Sequence, residues 1–505
     1  MQTPDGTAST LNPLLNKATI GEARLRFIDI DATLTDLLSW DRTSPTLSTL
    51  INRRITIYGG YRDEPESEYQ QLFTGEIRGV EMPEPLTYEF LVVSLTRRLE
   101  ELLFSNLGEF DTTSELENEI FPVGSTSVKV KSATAFGSAF AQGISSVLLH
   151  RSTGSQFERM TVSSVDSNNN LVYFTTPISY QWGGGTDFLT TGVHLRGNIV
   201  NVFASLCLGV FSTDPTSDFP LEVVSGSPTG LSLLSSDLDV TGLQEVRDGL
   251  LGDLRLDFVI DTPVKAREFF EQEIYPLGFF PSIAGDGTIG IRVTIPPGPQ
   301  ASAPKVYKQH MLTHPKWKRL ITDHYNRVLV FGDYNLANKN HPQLSLQEDT
   351  ADQTLTQEVG EIQVKSRGLR TALDGVASSR SVAARILKRW VVPPIEVSVE
   401  AIFTKVGLEV GDIVEVTHPA LPDTTAATLG LVGRLMTVVR VQPSYQRGAI
   451  EITLNESSVG ARFCWLGPSS MNDYGSATDE EKKYAYWGDV NNKVNSGTED
   501  GYEIY

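Results

Sequence analysis

Four small groups of residues in this 505-residue chain have types and spacings that could do chemistry. GDGTIG, residues 285–290, has the glycine spacing of a dinucleotide-binding loop. That loop must follow a strand and open a helix, so that helix N-terminal amides face a pyrophosphate. Here IRVTIPP follows, which alternates like a strand, and Asp286-Gly287 is a hairpin signal, so a β-turn is expected instead. His310, His314 and His324 sit close together, but the first pair encloses MLT and Pro315 follows at once. A zinc protease needs HExxH on a helix with the Glu as base, so these read as loop or strand-edge histidines. Glu268, Glu271 and Glu273 raise the paired carboxylates of glycoside hydrolysis, which must flank one bond across a cleft. On one short helix they read as its solvated face. Tyr173, Phe174, Tyr180 and Trp182 lie near a GGG run and could stack on sugars. Tyr173, Tyr180 and Trp182 are the candidate glycan-facing residues, against the plainer role of filling the core of a small β module.

Nothing else in the chain has catalytic spacing. GxSxG and Walker patterns are absent, and Cys207 and Cys464 are too far apart in sequence to suggest a disulfide framework or a metal ligand set. The sequence therefore gives no catalytic, cofactor-binding or metal-binding residue, and a non-enzymatic protein without cofactor is expected. Hydrophobic residues at 40% and charged residues at 21% describe an ordinary globular composition, and the length suggests about three to five domains. A formal charge of -20 argues against a sequence-independent grip on nucleic acid, which needs clustered Lys and Arg. No apolar run is long enough for a membrane-spanning helix, and the polar opening has no signal-peptide pattern, so synthesis and residence in one compartment are expected.

The elements that must position these residues are mostly strands. EARLRFIDI, RRITIYGGY, LFTGEIRGVE and YEFLVVSL alternate with period two between Gly and Pro, which predicts antiparallel strands, and RRLEELLF after them predicts an amphipathic helix. Residues 121–192 turn to Ser, Thr, Gly and Asn with short strands, predicting an all-β insert. Two helices are expected beyond it. NIVNVFASLCL has an Asn start and Gly209 past its end, and VKAREFFEQEIY follows Thr262 with Pro263 at the first helical position. SSRSVAARILKRW, residues 378–390, predicts a third helix before the strand IEVSVEAIF.

VGLEVGDIVEVTHPALPD, residues 406–423, carries two glycines that frame a turn and a carboxylate directly after the second. Gly407, Gly411 and Asp412 are thus expected to launch a strand abruptly. This strand, GRLMTVVRVQ and AIEITLNE match RRITIYGG, LFTGEIRGVE and YEFLVVSL in order and rough spacing, which suggests an internal repeat. The acidic stretch after Gly467 has few aliphatic residues and is expected to fold only against a partner, with Tyr484, Tyr486, Trp487, Tyr502 and Tyr505 as its anchors.

The run from IEVSVEAIF to AIEITLNE resembles the closing barrel of tailed-bacteriophage tail hub and baseplate hub proteins. LFTGEIRGVE with its flanks is similar to the family's first barrel. PVKAREFFEQEIYPLGFFPSIAGDGTIGIRV resembles the unit between the barrels, and DHYNRVLVFGDY the strand that re-enters the second one. The resemblance covers most of residues 20–456. It implies a mainly β, multidomain fold: arm 1–19, first tube-like β-barrel 20–117, inserted β module 118–192, α/β hub unit 193–304, second tube-like barrel 305–460 and acidic tail 461–505. Gly75 would serve a bulge or close approach in the first barrel, as Gly411 and Asp412 would serve the launch of a strand in the second. The implied role is a structural protein of the virion tail, made in the host cytoplasm. As a homotrimer it would join the sixfold tail tube and distal tail ring to a threefold tip. Its channel would hold the end of the tape-measure protein and later pass DNA, and the C-terminal tail would dock on a fibre or spike. A single-ring distal tail protein and a carbohydrate-binding or carbohydrate-cleaving adhesin are the alternatives.

Overall fold

Alternation places every second side chain on one face of a strand, and such strands gain stability only by burying that face together. The computed structural model describes residues 9–456 apart from 13–16, 20–21, 32–33, 36–52, 60–64, 106–112, 142–144, 152–156, 184–186, 226–227, 250, 253, 284–286, 294–302, 336–338, 375, 406, 424–427 and 445–446, and beyond them 465–466, 487–488, 493–494 and 499–500. The protein is mainly β and multidomain, with one curled half-barrel sheet of eight strands and several smaller sheets.

The leading sheet is antiparallel throughout, in the spatial order Glu22–Ile28, Thr87–Val93, Gln70–Glu84, Arg54–Gly59. Leu25, Ile77, Phe90 and Val92 form its core, with Phe27 edge-on to Phe90 at 5.5 Å. The helix expected at RRLEELLF is not formed. Leu95–Glu100 is a 3-10 turn and Leu102–Leu103 pairs with Val264–Lys265. Leu95, Leu99, Leu103 and Phe104 are all buried in the neighbouring α/β core, and the chain leaves its helical turn to deliver the last two there.

Residues 113–191 build a six-stranded sheet around Trp182, Phe136 and Leu149. This insert is not all-β as expected, because Thr134–Ala141 is a helix whose Phe136 and Ala139 are buried. Next comes the largest core. Helix Ile199–Leu208 is capped by the Asn198 side chain, which accepts from Val200 N, and ends at Gly209 with φ 68°. The helix expected after Pro263 begins only at Ala266, since Val264 and Lys265 are engaged as a strand, and Phe270–Ile274 winds as a π turn.

Arg327–Gly332 lies between Gln343–Glu348 and Glu361–Lys365 in a separate three-stranded sheet, covered by helix Ala377–Trp390. The expectation that this strand re-enters a second barrel is corrected here. Its inward residues Val328 and Val330 join the α/β core with Val364, Val382 and Ala383, because apolar residues alternate on one side of the strand and the helix and α/β unit wall that side.

The half-barrel sheet is built on Ile395–Ile402, Ala449–Glu456, Thr428–Ser444 and Ile413–Asp423, paired in that order. Lys316–Arg319 extends it beside Ile395–Ile402, and Lys305–Tyr307 runs parallel to Ile413–Asp423. The N-terminal strands Ser9–Asn12 and Lys17–Thr19, from the segment expected to be an arm, complete it from the far end of the sequence. Two complete barrels are not what the described residues form: the leading unit is an open sheet of four strands and the trailing one a half-barrel.

Candidate functional site

Among the described residues, the geometry that bears on function lies in how the sheets repeat and dock. Leading and trailing units share one strand order, with the first strand beside the fourth, the fourth beside the third and the third beside the second. Their registers coincide as well. Val92 sits between Ala23 and Ile77, and Leu454 sits between Val397 and Val438. The third strand is long in both and changes partner at the equivalent residue: Glu76 pairs with Arg54 and Val93, Thr437 with Ile413 and Asn455. Register shifts one step later in each, at Arg78 and at Val439, and the other flank shifts after Ile57–Phe73 and after Val416–Arg434. A bulge inserts a residue and re-aims its side chain. Val439 is thereby buried with Phe280 and Val410, whereas Arg78 reaches Glu76, which also accepts from Arg98 at 3.0 Å.

The α/β unit is wedged against both copies, and its hairpin Phe279–Ile283 with Ile289–Val293 reaches each of them. On the leading side, a Cβ at Gly287 (φ 84°) would meet Thr74 at 2.6 Å, and Arg54 is paired with Asp237. On the trailing side, Arg292 lies 3.4 Å from Glu409 and 3.2 Å from Asp412. The turn that launches the strand is closed by its own groups: Asp412 Oδ2 accepts from Glu409 N at 2.8 Å, and Gly411 N donates to Val438 O at 2.8 Å. Gly411 has φ 95°, and a Cβ there would meet the Phe280 ring at 2.7 Å. Gly407, expected to matter equally, has nothing within 4 Å. Gly75 is a close approach, since a Cβ would meet Val93 O at 2.6 Å and Phe73 at 2.8 Å.

The insert meets the α/β unit through buried polar groups. Asn335 Nδ2 donates to Arg151 O at 2.9 Å, and Leu148 packs on Val259. His150 is pushed down to about 4 by burial and bonds Thr190 Oγ1 through Nε2 at 2.8 Å, so it is neutral at pH 7. Burial opposes ionisation of Asp257, but His194, Arg370 and Arg196 outweigh it and hold the carboxyl below its usual range.

The remaining candidates fall as follows. Trp182 is 1% exposed, its Nε1 donating to Glu158 Oε2 at 2.7 Å under the Arg151 guanidinium, so it belongs to the insert core. Tyr173 is half-buried and Tyr180 exposed, edge-on to Trp182 at 6.5 Å, and the three do not make an open aromatic platform. Tyr484, Tyr486, Tyr502 and Tyr505 lie outside the described residues, and Trp487 is seen only as backbone of Trp487–Gly488, paired with Trp465–Leu466. The histidines are dispersed: His310 accepts from Tyr307 N, His314 faces His418, and His324 pairs with Asp352 at 2.9 Å. Glu273 does not share a solvated face with Glu268. The π turn rotates it inward to 7% exposure, where it accepts from Arg367 N and Nε at 2.6 Å. Among the described residues, no three His, Cys, Asp or Glu side chains gather as a metal site, and no helix is long and apolar enough to cross a membrane.

No family model matches the chain, and no curated relative does. Among solved structures, a tail protein from Neisseria meningitidis MC58 is similar over 91% of this chain and 94% of its own, at 10% identity and a TM-score of 0.34. The 43 kDa tail protein of prophage MuSo2 from Shewanella oneidensis gives 90% and 94%, 9% identity and 0.31. A prophage tail protein from Listeria monocytogenes EGD-e gives 89% of each chain, 8% identity and 0.30.

Proposed function

We propose that this chain is a structural, non-enzymatic hub of a bacteriophage tail, assembling as a homotrimer around a channel. The observation that carries the reading is the duplicated sheet, with one strand order and one set of bulge positions in both copies. Two copies per chain let three chains present six similar units, which adapts a sixfold tube to a threefold tip. A distal tail protein that forms a single sixfold ring needs only one such unit per chain, so the duplication favours the hub. The α/β unit, wedged on both copies, fixes their relative placement. Its partners on this reading are the tube or distal ring above, the end of the tape-measure protein in the channel, and a fibre or spike at the acidic tail. DNA passes without specific binding, which accords with the formal charge of -20. The adhesin reading loses its main support because Trp182 is committed to the core.

Negative-stain microscopy with mass from light scattering, on the purified chain and on tails, tests this. A threefold ring with six lobes at the end of the tube is expected. A stable monomer absent from the tail axis would overturn the proposal.

A further inference from the structure

Among the described residues, the internal repeat leaves one sheet edge filled in the trailing unit and open in the leading one. In the trailing unit, the third strand carries Ser9–Asn12 on its free flank, with Ser9 opposite Val441 and Thr10 opposite Arg440. By register these two residues correspond to Val80 and Gly79 of Gln70–Glu84. Among the described residues, nothing pairs with the leading strand on that flank. An unpaired row of amides and carbonyls is a template for another strand, and a short, twisted or charged edge restricts which strand it accepts. This edge is acidic at its exposed end, where Glu81 and Glu84 flank Met82 and Pro83.

A matching edge lies at the opposite side of the trailing unit. Among the described residues, Lys316–Arg319 pairs with Ile395–Ile402 on one side and with no strand on the other, and Lys316, Trp317, Lys318 and Arg319 are all exposed. Lys318 is held by Glu396 at 2.6 Å, and Lys316, Arg319 and an exposed tryptophan on an edge unpaired among the described residues are complementary to an acidic edge bearing a methionine. The topology also matches. Within one chain, a segment that precedes the first strand of the leading unit pairs with the third strand of the trailing unit. Lys316–Arg319 precedes and flanks the first strand of the trailing unit, and the third strand of a leading unit is the vacant counterpart.

We infer that Lys316–Arg319 of one copy adds antiparallel to residues 79–82 of a second copy, repeating between chains the contact that Ser9–Asn12 makes within one. Such a contact joins different surfaces on the two partners, so it propagates head to tail, and in the proposed homotrimer three of them close the ring. It deepens the self-association in the proposed function and rests on that part of it.

Disulfide trapping on the full chain tests the contact, with Cys464→Ser as background and Cys207 left buried. Glu81→Cys and Trp317→Cys chains, whose positions are directly opposite in this register, are oxidised each alone and as a mixture. Cross-linked dimer is expected in the mixture and not in either chain alone. No cross-link in the mixture, or equal cross-linking of each chain with itself, would overturn the inference. The second arm is charge reversal: Lys316→Glu with Arg319→Glu, which leaves the Lys318–Glu396 pair intact, should weaken self-association on the order of tenfold or more by sedimentation. Adding Glu81→Lys and Glu84→Lys should restore it, and unchanged association in either variant would refute the pairing. Rings that form without the mixed cross-link would leave the hub reading standing and this contact refuted. The mixed cross-link in a protein absent from tails would do the reverse.

Discussion

Gly411→Val separates a backbone requirement from a mere loop. The φ of 95° at this residue costs a β-branched side chain about 1–3 kcal/mol. Its Cβ would also fall 2.7 Å from Phe280 Cζ and 3.1 Å from Arg292 Cγ, and overpacking of that kind costs about 1–3 kcal/mol more. The sum, roughly 2–6 kcal/mol, is a large part of what one folded unit has. Scanning calorimetry of the full chain should show the transition of the trailing unit falling by roughly 10–40 °C, at about 4–8 °C per kcal/mol for a unit of under about 100 residues. Gly411→Ala should fall between Gly411→Val and wild type. Gly407→Ala is the control: with nothing within 4 Å it should stay within about 0.5 kcal/mol of wild type. Equal transition temperatures for Gly411→Val and Gly407→Ala would refute the reasoning, as would wild-type virion yield from the valine variant.

Three other outcomes follow from packing and charge. His150, pushed down to about 4, is neutral when folded, so its contribution is fully present above its unfolded pKa near 6.5 and is lost as pH falls toward 4. Thermal unfolding of the insert between pH 7 and 4 should show that slope, and His150→Gln should flatten it. Trp182→Ala should destabilise the insert by about 3–5 kcal/mol, read by chemical denaturation, whereas Tyr180→Ala at an exposed site should change it by less than about 1 kcal/mol. Arg434 Nε lies 2.6 Å from Glu456, a carboxylate 2% exposed whose pKa is raised by burial. Arg434→Ala should therefore cost about 3–5 kcal/mol, and Arg434→Ala with Glu456→Gln should recover part of it.

Period-two alternation made the paired strands legible in the sequence, and Asn198 with Gly209 marked both ends of their helix. The bulges were not legible, because a bulge reverses which parity faces inward. Inward residues run Gly75, Ile77 and then Val80 in one unit, and Met436, Val438 and then Val441 in the other. Propensity also misplaced RRLEELLF and Glu273, where tertiary demands overrode the local pattern: one segment had to deliver Leu103 and Phe104 to another core, and a π turn added a residue that no periodicity announces. Pairing of Ser9–Asn12 with a strand more than four hundred residues away has no local signature at all. The repeat was visible as order and spacing, but its strength lies in registers that only the pairing reveals.

The bulges also mark where the chain is free to change length. Between the first and second strands the leading unit has residues 29–53 and the trailing unit only 403–412, and between the second and third it has 60–69 against 424–427. Those connections differ in length while the bulge positions do not. A loop lengthens at little entropic expense, but a residue removed from a ladder turns every later side chain to the wrong face. Arg78 and Val439 thus act as fixed marks on two rulers of one pattern, and the placing of those marks, more than the identity of the residues on them, is what the two units share.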